Sequence, residues 1–300
     1  MLQFRFLHAG SYILKKLVIF GVGLIGGSLA LALQRANRVQ QIVGVGRSAD
    51  SLQTALNMGV INTIATDPAL AVIEADMVIV AVPVAQTASI FSAIAPHLND
   101  KTVVTDVGST KGGVIACAEA LLGDKIARFV PGHPIAGAEK TGVTAANPSL
   151  FEGKNVVLTP TDKTDTHALE QVRTMWSATG ANLKQMGANQ HDSIFAAVSH
   201  LPHLLAFALV NDLASRENAA QLFEFAASGF RDFTRIAGSS PEMWRDISLA
   251  NRDALLNEIS TYQNELTVLK SLLERQDTAG LQALFEHAST ARNSWAESKK

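Results

Sequence analysis

The side chains best able to do chemistry fall into a few short clusters. Gly132-His133-Pro134-Ile135-Ala136-Gly137-Ala138-Glu139 locks a histidine between a glycine and a proline, so backbone geometry sets its place. Its ordinary pKa near neutrality lets it accept a proton from a hydroxyl. Glu139 either orients or charges that site, or is a plain surface carboxylate. Thr105-Asp106-Val107-Gly108-Ser109-Thr110-Lys111 offers a hydroxyl at Ser109 to a substrate or cofactor and a charge at Lys111. Ser109 or Thr110 would equally serve as N-cap of the helix expected over Gly113–Leu122. Further on, Gln190-His191-Asp192 precedes Val198-Ser199-His200-Leu201-Pro202-His203. Counted as a regular helix, Asp192 and His203 lie near one face, with His200 and His203 one turn apart. A His-x-x-His pair invites a metal, but no third ligand of suitable spacing follows and Pro202 disturbs the register, so no metal is expected. In Gly229-Phe230-Arg231-Asp232-Phe233-Thr234-Arg235, either Asp232 simply pairs with a neighbouring arginine at the surface or one guanidinium holds a substrate carboxylate.

Another cluster binds rather than reacts. Gly21-Val22-Gly23-Leu24-Ile25-Gly26 lies between the apolar run Leu17–Phe20 and the helix-forming Ser28–Gln34. In that order the pattern reads as a dinucleotide loop: Gly21 allows the tight turn, Gly23 admits a pyrophosphate, Gly26 packs helix on strand, and amides at the helix start (Leu24, Ile25) face the phosphates. The next β-like run ends in Gly46-Arg47-Ser48, where NAD enzymes usually carry a carboxylate. Arg47 supplies a planar fork suited to a 2′-phosphate and Ser48 a hydroxyl, so NADP is favoured and NAD remains possible. Asp50 would partly offset that charge.

These clusters need a scaffold, and the chain shows two textures. From Lys16 to about Met186, runs at Leu17–Phe20, Ile42–Val45, Met77–Val82, Thr102–Asp106, Phe129–Pro131, Val156–Thr159 and Leu183–Met186 alternate with helical stretches. This pattern predicts a mainly parallel sheet flanked by helices, with ligands at the carboxyl ends of the strands. From about Asn189 strand signals vanish and amphipathic stretches such as Glu258–Arg275 take over. Such helices close on their own monomer or pair with a second subunit; periodicity does not separate the two. The expected division is therefore 1–15 as an extension of no recognisable element, 16–188 as a dinucleotide-binding domain and 189–300 as a helical domain. Lys15-Lys16 and the uncharged run that follows resemble a signal peptide, but the four glycines at 21, 23, 26 and 27 and the β-run behind them favour the dinucleotide fold over secretion or a membrane span.

Composition bounds the partners. Of 300 residues, 47% are hydrophobic and 17% charged, enough for a large core. A formal charge of −2 lacks the positive field that nucleic acid requires. Cys117 is the single cysteine, which excludes an internal disulfide and fits a cytoplasmic protein; its plain reading is a small buried hydrophobe.

Taken in order, Gly21-x-Gly23-x-x-Gly26-Gly27-Ser28, Gly108-Ser109-x-Lys111, Gly132-His133-Pro134-x-Ala136-Gly137-x-Glu139, His191-Asp192, Ser199-His200-Leu201-Pro202-His203 and Phe230-x-Asp232-Phe233-Thr234-Arg235 resemble the prephenate/arogenate dehydrogenase family of tyrosine biosynthesis, over about Lys16–Asp253. The resemblance implies an α/β Rossmann-like N-terminal domain and an all-α C-terminal domain that forms a homodimer, with the substrate site between them. It implies His133 as the catalytic histidine at the ring hydroxyl, Ser109 assisting, Arg235 on a substrate carboxylate and His203 lining the site. Gly46-Arg47 departs from the acidic residue of NAD-using members. The stretches before Lys16 and after about Asn264 are too short for a fused chorismate mutase or a regulatory domain, so neither is expected. Another two-domain hydroxy-acid dehydrogenase would carry a lysine acid/base on the helical domain in a motif this chain lacks. A non-enzymatic NADP-binding sensor would not need His133 and Arg235.

Overall fold

The computed structural model describes residues 13–137 and 140–298. Expectations for Met1–Tyr12 and Glu139 fall outside the described residues. Two compact units are present, residues 1–251 and 252–300.

The first unit opens with β1 (Leu14–Phe20), α1 (Leu24–Arg35), β2 (Val39–Val45), α2 (Ala49–Asn57), β3 (Thr63–Ile64), α3 (Pro68–Ala71), β4 (Met77–Val80), α4 (Thr87–Ile94), β5 (Val103–Asp106), α5 (Gly112–Leu121) and β6 (Phe129–Val130). Its six strands pair in parallel in the order β3-β2-β1-β4-β5-β6. Sequence order reverses between β1 and β4, which opens a crevice at their carboxyl ends. Alternate residues of β1 serve opposite faces. Leu17 and Ile19 join one buried cluster with α1 residues Leu29 and Leu33, whereas Val18 and Phe20 join another with α4 residues Phe91 and Ile94. Both faces are dry, hence the nearly unbroken apolar runs. The signal-like segment is thus β1 and α1 of this core, and β1 starts two residues before Lys16. Cys117 is partly buried against the second cluster.

The chain then leaves this sheet. Pro131, which has no N–H to donate to a ladder, separates β6 from β7 (Gly132–Pro134). This strand runs antiparallel to β8 (Asn155–Leu158), and β8 runs parallel to β9 (Asn182–Gln185), with α6 (Thr166–Ser177) between them. The expected single sheet is therefore two. The runs at Val156–Thr159 and Leu183–Met186 are strands of a second, three-stranded sheet, and His133 lies within a strand rather than after one. Burial periodicity marks strands without saying which sheet they join.

The rest of this unit is helical: α7 (Ala188–Phe195), a π turn (Ala196–His200), α8 (Leu201–Ala214), α9 (Ala219–Glu224), α10 (Ser228–Thr234), a 3₁₀ turn (Arg235–Gly238) and α11 (Pro241–Ala250). Among the described residues one helical run, Ala188–Ala214, is long and apolar enough to cross a membrane, yet it carries His191 and His200 as buried polar groups of this unit. Pro202 is the second residue of α8, just past the π turn, and that turn breaks the regular register assumed for Asp192 and His203. The second unit is a helical hairpin, α12 (Arg252–Glu274) packed on α13 (Thr278–Glu297), whose start is capped by the Asp277 carboxylate accepting from Gly280 N–H.

Candidate active site

Two glycines of the first loop are required by the protein's own packing. Gly21 has φ +92°, and a Cβ there would stand 2.4 Å from the Ala81 carbonyl oxygen; a Cβ on Gly26 would meet the Gly21 carbonyl oxygen at 2.3 Å. Gly23 is different, because a Cβ there would touch nothing within 4 Å. Among the described residues nothing explains its small size, and the open backbone fits the approach of a phosphate. Gly23 also precedes α1 without capping it by a side chain, and the first turn has no acidic residue, so Leu24, Ile25 and their neighbours present free amides where the helix dipole favours an anion. A cleft of about 490 Å³ runs from Gly21 and Gly23 past Gly46, Arg47 and Ser48. These features fit a dinucleotide. Arg47 is exposed at the cleft, while Ser48 accepts from Ser51 N–H at 3.2 Å as N-cap of α2, which leaves its hydroxyl hydrogen free.

At the end of β5, Asp106 and Lys111 form a buried ion pair of 2.5 Å. The Asp106 carboxylate accepts from Gly108 N–H (2.8 Å) and Gly132 N–H (3.1 Å), and Lys111 Nζ donates to the Gly132 carbonyl (2.6 Å). Two buried side chains, Asp106 and Lys111, thereby fasten the end of β5 to the residue before His133. Burial lowers the Lys111 pKa against the opposing pull of Asp106 and Asp192. Lys111 thus lies inside the fold, paired with Asp106. Ser109 is only partly buried and, among the described residues, has no hydrogen-bond partner.

Neither Ser109 nor Thr110 caps α5, contrary to the plain reading of that cluster. Lys111 N–H and Gly112 N–H instead donate to the two oxygens of Asp192, each at 2.8 Å, across 80 residues of sequence. Asp192 also accepts from His191 Nδ1 at 2.8 Å. Burial would raise its pKa, but these three donors outweigh it and hold the carboxyl below its usual range. His191, fully buried, places Nε2 2.8 Å from His133 Nδ1. Phe195 closes over both imidazoles, with ring centroids 4.9 Å and 4.5 Å away. Burial, then the charges of Lys111, His191 and His200, push the His133 pKa well below the ordinary histidine value.

His203 and Arg235 sit on a neighbouring surface. The His203 ring stacks on Trp244 of α11 at 3.7 Å, and its Nδ1 donates to the Ser199 carbonyl at 2.8 Å. Burial lowers its pKa, the Ser199 bond opposes this, and the Arg235 charge adds to the lowering. Arg235 heads the 3₁₀ turn that packs on α8 and is exposed. Asp232 lies 3.9 Å from Arg231 at the surface. His200 turns away from a metal-like pairing: its Nδ1 accepts from Asn251 Nδ2 at 3.0 Å, and burial drops its pKa to about 4. The structure thus joins His133, Lys111, His191 and Asp192, and it sets His203 beside Trp244. Trp244 and Asn251 carried no sequence signal of a role.

Two family models cover most of the chain: one described as prephenate dehydrogenase, nucleotide-binding domain, over residues 29–185, and one as prephenate dehydrogenase, dimerization domain, over residues 187–287. A prephenate dehydrogenase of Bacillus subtilis is 39% identical over 92% of this chain and 75% of its own length. Among solved structures, prephenate dehydrogenase from A. aeolicus in complex with hydroxyphenyl propionate and NAD+ superposes with a TM-score of 0.88 at 37% identity, covering 95% of this chain and 99% of that one. Synechocystis arogenate dehydrogenase gives 0.79 at 29% identity, covering 93% and 99%.

Proposed function

The chain belongs to the prephenate dehydrogenase family, and from that membership we propose that His133 is the proton acceptor of its reaction and that NADP is its preferred cofactor. The reaction is the oxidative decarboxylation of prephenate or arogenate to 4-hydroxyphenylpyruvate or tyrosine, with hydride transfer to NAD(P)+, in tyrosine biosynthesis. The observation that carries the assignment is the engagement of His133 Nδ1 by His191, which leaves Nε2 as the ring nitrogen available to a ligand.

The bound nicotinamide supplies the hydride acceptor. The residues of the chain do the rest. His133 Nε2 accepts the proton of the ring hydroxyl, and the electron pair left on that oxygen forms the carbonyl as the hydride departs. Loss of CO₂ makes the ring aromatic, and the proton held at Nε2 returns to the phenolic oxygen; no net proton is released. Positioned proton transfer of this kind contributes about 10²–10⁴-fold. Ser109 assists from the end of β5, Arg235 holds a substrate carboxylate, and His203 lines the site on the Trp244 surface. Gly21, Gly23, Leu24, Ile25 and Gly26 cradle the pyrophosphate.

NADP preference rests on Arg47, exposed beside the cleft and, among the described residues, without an ionic partner. We also read the protein as a cytoplasmic homodimer. Support for pairing comes from apolar side chains left exposed on the helical elements, including Val198 (67%), Leu273 (59%) and Phe285 (54%).

Turnover with prephenate and with arogenate, each with NADP and NAD, tests both parts. NADP should give the higher kcat/KM, and Arg47→Asp should move the preference toward NAD. Equal losses with both cofactors would remove Arg47 from 2′-phosphate recognition, and no turnover of either substrate would remove the function.

A further inference from the structure

We propose that His191 is a positioning residue for this reaction: it fixes His133 in the one neutral tautomer whose Nε2 can accept a proton, with Asp192 as the distant counter-charge. The inference rests on His133 being the acceptor. The argument runs outward from the carboxylate. An ionised carboxylate only accepts hydrogen bonds. With Asp192 Oδ1 2.8 Å from His191 Nδ1, that nitrogen must bear the proton. A neutral His191 then presents a lone pair at Nε2, and the 2.8 Å contact requires His133 Nδ1 to be the donor. The proton of His133 is thereby committed to Nδ1. Its Nε2 is left as a lone pair.

The geometry supports this direction of the chain over its reverse. Asp192 is kept ionised by two backbone amides, and its own carbonyl accepts from Asn251 Nδ2 at 2.8 Å, so the carboxylate cannot swing away. The reverse chain would need His191 to donate from both ring nitrogens, to Asp192 and to His133, and so to carry a second proton at 0% exposure. The chain also acts during the reaction. As the substrate O–H bond breaks and an Nε2–H bond forms on His133, the new imidazolium donates more strongly from Nδ1 to His191, and the charge is balanced through that ring by Asp192. The same logic orients the histidine of hydrolytic triads, with an imidazole here inserted between acid and base.

The test separates tautomer from stability. In protein with ¹⁵N-labelled imidazoles, the signals of His133, identified by their loss in His133→Asn, should show a protonated Nδ1 and a bare Nε2. His191→Gln places an amide oxygen near the former Nε2 and can still accept from His133, whereas His191→Phe keeps the ring shape and cannot. We expect His191→Phe to lower kcat about 10–100-fold with KM nearly unchanged, and to shift His133 toward the Nε2–H form. His191→Gln should recover most of the loss and the Nδ1–H form. A bare Nδ1 on His133 in the wild type would overturn the proposal even if His191→Phe did not fold. So would wild-type kcat in His191→Phe, or a His191→Gln variant that folds yet is no better than His191→Phe. Full turnover in His133→Asn would instead overturn the functional reading beneath it.

Discussion

His133 lies buried beside Lys111 and other imidazoles, and that company sets the pH range in which the proposed proton acceptor is neutral. Because its pKa is pushed well below the usual histidine value, first by burial and then by Lys111, His191 and His200, it stays neutral in mildly acidic solution. The acidic limb of kcat/KM should accordingly lie well under pH 6.5, and His133→Asn should lack it. Stability has the same sign. Where the native pKa is depressed, the unfolded chain binds the proton more readily, so stability falls as pH drops from the unfolded value toward the native one. His200, titrating near 4 when folded, alone accounts for about 3 kcal/mol of such loss. His133 and His203 add to it, and melting temperature should drop measurably between pH 7 and pH 5; an unchanged value would contradict the buried neutral histidines. Kinetics distinguish holding from proton transfer. His133→Asn should cut kcat with little change in KM, since a bond that strengthens as charge develops lowers the barrier alone, whereas Arg235→Gln should mainly raise KM, since an ion pair present throughout is uniform binding. A collapse of kcat with unchanged KM in Arg235→Gln would reverse these roles.

At the scale of elements, the glycine loop separates folding from binding within three residues. Gly21→Ala forces a Cβ to 2.4 Å from the Ala81 carbonyl oxygen at φ +92°, and should destabilise the protein strongly. Gly23→Ala meets no protein atom, and should leave the melting temperature within about 1 kcal/mol equivalent while weakening cofactor binding. Thermal melts and fluorescence titration with NADPH check both; equal destabilisation by the two variants would remove the case for Gly23 as a phosphate contact. Such elements were largely legible in the sequence, because doubly buried parallel strands leave unbroken apolar runs. All seven runs are strands. What stayed hidden is β3, only two residues at the sheet edge, and β7, whose three residues form a strand only because β8 pairs with them. The capping of α5 was illegible for a related reason: its carboxylate comes from α7, and no local rule finds a partner 80 residues away. The complete burial of Lys111 was equally unreadable, since lysine is seldom buried unless paired and the pairing is tertiary.

At the scale of the whole molecule, exposed apolar residues on α12 and α13, Leu266, Val268, Leu273 and Phe285 among them, argue for association. Sedimentation at micromolar concentration should show a dimer, and a monomer would exclude it. Within the first unit, Asp192 has a mechanical consequence. The boundary between the two family models falls at residues 185–187, where a hinge between nucleotide-binding and helical parts would be sought. Yet Asp192, just beyond that boundary, grips both amides at the start of α5 and the His191 ring with three charge-assisted hydrogen bonds. Of these, only the two amide bonds join α7 to α5; at about 1.5–3 kcal/mol each, swinging α7 away from α5 would cost roughly 3–6 kcal/mol, so fewer than about one molecule in a hundred would be open at any instant. Asp192 thus acts as a clasp that holds α7 to the start of α5 and keeps His191 in place beside His133.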